Sequence, residues 1–436
     1  MATERSSTLT ADGRDLQRSA AAAPAAAAGD ASVVRDVAVQ AALIWLSTRA
    51  VLAFFTYFAV ILDNPALRTG TLSTGIPSPV RLIDAWAQWD VPGLLNVARN
   101  GYTTPLFTVW FPLHPLLTRA VATVLGQAGR PVGGGWELSG LLVSNLALLG
   151  AFVALAVLTY RETGSRTAAW LAPLVLSAYP YAFFLSAPYA DPLFLALALA
   201  AVLAARQGRW ALAGGAAFLA ALTRTTAVIL VLPLVWELGR QCGWWVTGSW
   251  RGLRDVRAVV GRLPAAAAAG LAVPAGIGAY MAYLWITKGS PTVFLAAEKE
   301  TWTRQLSPPW WTLLAQVHRL VREAPWSYWQ LLLGIDLVLF LLMGLLTLLF
   351  ARRLPFSFTL FMGGLLLLCV LWPPVGPGWP DLLTSTARYL TVSFPVFIGL
   401  ARVVSGRPAL GAAVLGGGAM VQAAIAAFYL SGGWIG

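Results

Sequence analysis

Charge is scarce in this chain. Asp, Glu, Lys and Arg make up 11% of its 436 residues, against 58% hydrophobic residues. Soluble domains carry roughly 25% charged residues. A chain this long cannot cover its surface with so few polar groups, so lipid must replace water as its solvent. Cysteine and histidine are rarer still. Cys242 sits in a basic loop and Cys369 inside an apolar run, so they are not expected to meet as a disulfide. His114 and His318 are the only histidines. No zinc or haem constellation can be assembled from this set. No metal site or cofactor is expected, and dependence on a divalent cation is left open.

Basic residues are present in excess, giving a net charge of +12. They do not point to nucleic acid. Almost all are Arg, and they fall in short loops between apolar stretches, the pattern that marks the cytoplasmic side of a membrane protein. The 20 Trp suit the membrane–water interfaces, where an amphipathic ring sits at headgroup depth.

Residues 1–36 are rich in Ala, Arg and Ser and read as a disordered cytoplasmic tail. The membrane domain follows over 37–436. Its first apolar stretch, 37–62, is too long for the core of a signal peptide and reads as the first span. Further spans are expected over 136–160, 167–187, 189–205, 209–223 and 225–238. Others follow over 264–287, 328–350, 354–372, 388–404 and 408–433. The expectation is an all-α polytopic protein with about eleven transmembrane helices. Arg161/Arg166, Arg206/Arg209, the 240–262 loop, Arg352/Arg353 and Arg402/Arg407 are assigned to the cytoplasm. The outer face then receives a first loop, 63–107, a second large loop, 288–327, and the 373–387 segment. The N-terminus lies inside and the C-terminus outside. The apolar stretch 109–125 would break this alternation, so it reads as a re-entrant or juxtamembrane helix.

Ionisable groups at membrane depth are expensive and mark function. The outer or buried acids are Asp63, Asp84, Asp90, Glu137, Asp191, Glu298, Glu300, Glu323, Asp336 and Asp381. Asp90 stands out, in an aromatic segment after Trp89. It also precedes Val91-Pro92 and an apolar-periodic run, so helix capping is an equal reading. Asp84, six residues earlier, would not share its helix face. His114 lies between two prolines and can contact a phosphate or sugar, or be structural. Asp191, before Pro192, is placed to cap the next helix. Arg224 interrupts an apolar run and needs an anionic partner, either an internal carboxylate or a lipid phosphate. Arg388 runs against the inside bias of basic residues. A phosphate ligand would explain it, as would snorkelling to anionic headgroups.

In order, Trp89-Asp90, Gly101-Tyr102, Phe111-Pro-Leu-His-Pro115, Tyr189-Ala-Asp191, Leu222-Thr-Arg224 and Ala387-Arg-Tyr389 resemble the PIG-V-like mannosyltransferases. These belong to the GT-C class of membrane glycosyltransferases. The likeness runs from about Val37 to about Ala401. It implies a GT-C-like helical bundle and a polyprenyl-phosphate-sugar donor, specifically mannose. It also implies transfer with inversion to a glycolipid or protein acceptor. The acidic catalytic residue of the first outer loop falls on Asp90. Trp89, Asp84, Tyr102, His114, Tyr189, Asp191, Arg224, Arg388 and Tyr389 become candidates for donor or acceptor binding. Relatives often carry Tyr at the place of His114 and Glu at the place of Asp191.

The residues allow the same chemistry. Displacing a phosphate from a sugar needs one base for the acceptor proton, and a carboxylate suffices. The leaving phosphate needs cations, which Arg224 or Arg388 can supply. Two other classes compete. A lipid or sugar transporter or flippase favours inverted repeats and ionisable groups near mid-membrane, and no repeat is visible. A non-catalytic cell-envelope scaffold would need no pairing between Asp90 and Arg388.

Overall fold

The computed structural model describes residues 8–62, 79–127, 129, 135–243, 261, 263–376 and 381–435, with side chains from residue 30 onward. Among these residues the fold is all helical. The sole β pairing is one isolated bridge, Arg304 with Pro374. Residues 63–78 of the first outer loop and 244–260 of the basic loop lie outside the described residues.

The chain opens on α1 (Thr8–Leu62), followed by α2 (Pro79–Asp84), α3 (Val91–Asn100), α4 (Leu113–Val124), α5 (Trp136–Thr163) and α6 (Arg166–Ser177). Next come α7 (Asp191–Arg206), α8 (Trp210–Ala221), α9 (Val231–Gln241), α10 (Leu263–Gly270), α11 (Ala272–Lys288) and α12 (Val293–Trp302). The last are α13 (Pro309–Arg322), α14 (Tyr328–Phe350), α15 (Phe356–Leu371), α16 (Thr386–Tyr389), α17 (Phe394–Val404) and α18 (Pro408–Leu430). The first helix extends back from Val37 over stretches assigned to a disordered tail, where the Ala-rich sequence favours helix.

Each apolar stretch read as a span is helical, but fewer are long enough to cross alone. Four helices qualify by length and composition: Asp30–Leu62 within α1, α5, α14 and α18. The number rises to six if two bent pairs each count as one span. These are α10 with α11, bent by 56°, and Thr386–Val392 with α17, bent by 70°. The expected eleven is therefore not reached by helix length. The reason is local: α6, α8 and α9 run for only 11 or 12 residues. At 1.5 Å per residue such helices reach roughly 18 Å, well short of a 30 Å hydrocarbon core. In α4, which covers most of 109–125, the helix is 12 residues long and likewise too short to cross.

Small side chains let the central helices approach closely. Ala198, Ala201 and Ala205 of α7 and Ala213, Ala217 and Ala220 of α8 are fully or almost fully buried. Gly276 of α11 lies against α8, where an added Cβ would stand 2.6 Å from the carbonyl oxygen of Phe218. The ends of α5, α7 and α9 away from the cavity described below are tied by charge. Arg206 grips Glu162 with Nε and Nη2, at 2.8 and 2.7 Å, and also reaches Glu237 at 3.3 Å. Arg240 closes on Glu237 at 2.6 Å. Several of the basic residues assigned to one side by sequence thus do share one end of the bundle.

Candidate active site

At the opposite end of these helices lies a cavity of about 370 Å³. Its walls come from distant parts of the sequence. The turn before α3 supplies Trp89 and Asp90. The turn before α7 gives Tyr189 and Asp191, and the loop after α8 gives Arg224. Arg388 and Tyr389 come from α16, and Trp434 from the C-terminal segment. Seven of the ten residues singled out by sequence therefore meet around one space.

Asp90 is at the N-cap position of α3, yet its side chain makes no capping hydrogen bond. It faces Arg388 instead, with Arg388 Nη1 donating to Asp90 Oδ2 at 3.1 Å. The Arg388 side chain is 7% exposed and that of Asp90 28%. The guanidinium is thus the buried partner, and the carboxylate presents its remaining oxygen to the cavity. Asp191, expected as a cap, begins α7 but does not cap it either. It is buried and forms an ion pair with Arg224. The internal carboxylate required by Arg224 is therefore Asp191.

The aromatic residues organise these charges. Arg224 lies 4.7 Å from the centre of the Tyr389 ring, and Arg388 lies 5.2 Å from the same ring. Arg388 is also 5.0 Å from the ring of Tyr189. Such cation–π contacts hold guanidinium groups without neutralising them. The Tyr189 hydroxyl donates to the carbonyl of Gln88 at 3.1 Å, tying the α7 turn to the segment that carries Asp90. Trp89 adopts a left-handed backbone with φ +58°, unusual for a side chain this bulky. Its indole N–H donates to the carbonyl of Gly433 at 3.2 Å, and its ring meets Trp434 edge to face at 6.3 Å. The C-terminal segment thereby becomes part of the wall.

Three sequence candidates do not reach the cavity. His114 is fully buried, and its Nε2 lies 3.1 Å from the Ser144 hydroxyl, which donates to the Tyr189 carbonyl at 2.9 Å. It backs Tyr189 rather than touching a ligand, because the start of α4 turns it toward α5. Tyr102 donates to the carbonyl of Trp110 at 2.8 Å and packs on Tyr280 and Tyr283. It is part of the wall behind the cavity. Asp84 ends α2, which packs on α5 away from the cavity. Burial, and then the neighbouring Glu137, hold its carboxyl above the usual range.

Residues not singled out for a role complete the site. Trp110, Trp302 and Trp372 line it, with Glu298 and Arg304 from the second outer loop. Gly93 makes room for Trp110, since a methyl group there would overlap the indole. Glu298 was visible in sequence as an outer acid, whereas Arg304 gave no signal among the other charges of its loop. Among the described residues no group of three or more His, Cys, Asp or Glu is placed to hold a metal ion.

The cavity offers the partly exposed Asp90 carboxylate, fixed guanidinium groups and several indole rings around a space large enough for a sugar. That combination can bind an anion, stack a sugar ring and accept a proton. No protein-family model matches the chain, and no curated protein matches it.

Proposed function

We propose that the protein is a GT-C-like glycosyltransferase that moves mannose from a polyprenyl-phosphate donor to a glycolipid or protein acceptor outside the cytoplasm. The observation that carries this reading is the Asp90–Arg388 pair, set in a cavity with Tyr189, Asp191, Arg224 and Tyr389. These residues belong to four of the six short segments that resemble PIG-V-like mannosyltransferases, and a fifth segment supplies Phe111 to the same wall. The family assignment rests on those segments.

In this reading Asp90 is the general base. The acceptor hydroxyl gives its proton to the free Asp90 oxygen as its own oxygen attacks the anomeric carbon. The bond from that carbon to the phosphate oxygen breaks, and the phosphate leaves with the electron pair. Attack and departure on opposite faces invert the configuration. Arg388 holds and aims the Asp90 carboxylate, and the cavity's cations stabilise the departing phosphate. The bent and short helices complete about eleven spans together, with the basic ends cytoplasmic and the cavity outside.

The test is transfer of labelled mannose from a polyprenyl-phosphate donor to an impermeant acceptor, in right-side-out and inverted vesicles. Transfer in the right-side-out preparation, lost in Asp90→Asn, is expected. Absence of transfer with every acceptor tried, in vesicles whose protein is folded, would end the reading.

A further inference from the structure

Charge in the cavity is matched residue by residue, with one exception among the cations. Arg388 faces Asp90, and Arg224 faces Asp191. Arg304 lines the same cavity, and among the described residues it has no carboxylate within ion-pair distance. Among those residues its side chain makes one hydrogen bond, from Nη1 to the carbonyl of Trp372 at 2.8 Å, and none from the Nε and Nη2 edge. That edge presents two parallel N–H groups, the geometry that grips two oxygens of a phosphate. Glu298, the acid of the preceding helix α12 that lines the cavity, accepts instead from the indole N–H of Trp372 at 3.2 Å.

Arg304 is held rather than loose. It pairs with Pro374 in the isolated bridge. Around that bridge, Gln305 N donates to the Pro373 carbonyl, Ser307 N to Leu371 and Val375 N to Thr303, at 3.0–3.2 Å. The clasp joins the second outer loop to the end of α15. Thr303 sits in the left-handed region at φ +51°. Trp89, just before Asp90, and Ser385, three residues before Arg388, are the other cavity-side residues in that region. A non-glycine residue in this conformation is strained and persists where the surroundings impose it. Trp89 and Thr303 directly precede Asp90 and Arg304, and Ser385 begins the turn that leads to Arg388.

The surroundings of Arg304 differ from those of Asp90. Val228, Leu295, Leu365 and Leu368 form an apolar wall of the same cavity. Val228 and Leu295 are also 48% and 42% exposed. The apolar wall is therefore accessible rather than sealed between the Thr225–Leu230 turn and α12. An amphiphile can keep its chain in lipid there while its headgroup reaches the polar end.

We infer that Arg304 is the phosphate-binding residue for a lipid-linked substrate whose hydrocarbon chain leaves past Val228 and Leu295. The inference rests on the reading of the cavity as a lipid-phosphate-sugar site, and it assigns the phosphate contact to Arg304 in place of Arg388.

Binding of polyprenyl phosphate without a sugar tests it, by native mass spectrometry of the purified full chain. Polyprenol and inorganic phosphate serve as the two comparison ligands. Wild type should bind polyprenyl phosphate, and neither comparison ligand at the same concentration. Arg304→Gln and Arg304→Lys should weaken it on the order of 10- to 100-fold, the worth of a charged hydrogen bond. The variants' melting temperatures should match wild type, because the clasp uses backbone groups. Wild-type affinity in both variants overturns the inference. So does equal binding of polyprenol, or of inorganic phosphate alone. Arg304-dependent lipid-phosphate binding without mannosyl transfer would leave this inference standing and remove the transferase reading. Intact transfer and binding in Arg304→Gln would do the reverse.

Discussion

The guanidinium of Arg388 meets the carboxylate of Asp90 across 298 positions of sequence, with Nη1 and Oδ2 3.1 Å apart. This contact joins the turn before α3 to the start of the α16–α17 pair, and it takes Asp90 away from helix capping. A capping aspartate turns its oxygens onto the backbone N–H groups of its own helix. Asp90 does not, so its carboxylate is free to act across the cavity.

The pair can be separated from the chemistry by a double-mutant cycle. Asp90→Asn leaves Arg388 buried without its counter-charge, and should cost about 1.5–3 kcal/mol of stability. Arg388→Gln alone leaves Asp90 partly wet and should cost less. The double variant removes both charges and should recover most of the stability lost in Asp90→Asn. Transfer behaves differently, because loss of a general base costs on the order of 10²- to 10⁴-fold and no partner change restores it. Melting curves in detergent, run beside the mannosyl-transfer assay, read both. Recovery of turnover in the double variant would make Asp90 a structural counter-ion.

Gly93 offers a test of cavity shape that touches no charge. It is half-buried in the first turn of α3, directly under the Trp110 indole. In Gly93→Ala the ring must move, since the overlap is with a rigid aromatic system rather than a flexible chain. Alanine also favours helix over glycine by about 1 kcal/mol. The expected outcome is a stable protein with a raised KM for its sugar substrate and a smaller change in kcat. An unchanged KM would place Trp110 outside the binding surface.

The parts of the site that were visible in sequence share one property. Asp90, Asp191, Arg224 and Arg388 are ionisable groups next to long apolar runs, where burial without a purpose is costly. Their pairing was only partly visible, since it depends on which helix ends meet. Side-chain direction hid the rest. His114 and Tyr102 sit in segments as suggestive as that of Asp90, but packing turns both away from the cavity. Trp434 looked like one more interfacial tryptophan, and Arg304 like one more loop charge. The helical segments were legible from hydropathy, whereas their lengths were not. The break at Leu271 interrupts apolar sequence without any polar signal.

A second pair of acids lies behind Arg388, and it makes stability depend on pH. Asp336 and Asp381 are 2% and 1% exposed, and their carboxyl groups face each other. Gln316 Nε2 and the backbone N–H of Leu383 each donate to Asp381 Oδ1 at 2.8 Å, while the backbone N–H of Ala387 donates to Asp336 at 3.2 Å. Ala387 adjoins Arg388, so the pair holds the segment that aims the guanidinium. Two carboxyls can bond only if one keeps a proton. Burial pushes Asp381 above the usual carboxylate value, despite the donors around it and Arg319 nearby. A folded-state value raised above the unfolded one contributes stability at pH below the ordinary carboxylate range. That contribution is lost as pH rises through the folded value. The melting temperature of wild type should therefore fall as pH increases from the ordinary carboxylate range upward. Asp336→Asn gives Asp381 an amide donor that does not depend on pH, and should flatten that fall while the protein stays folded. Asp336→Ala leaves the buried Asp381 short of a donor and should cost about 1–3 kcal/mol. Melting temperature against pH for the three proteins decides the matter. Identical slopes in wild type and Asp336→Asn would show that no shared proton joins the two carboxyls.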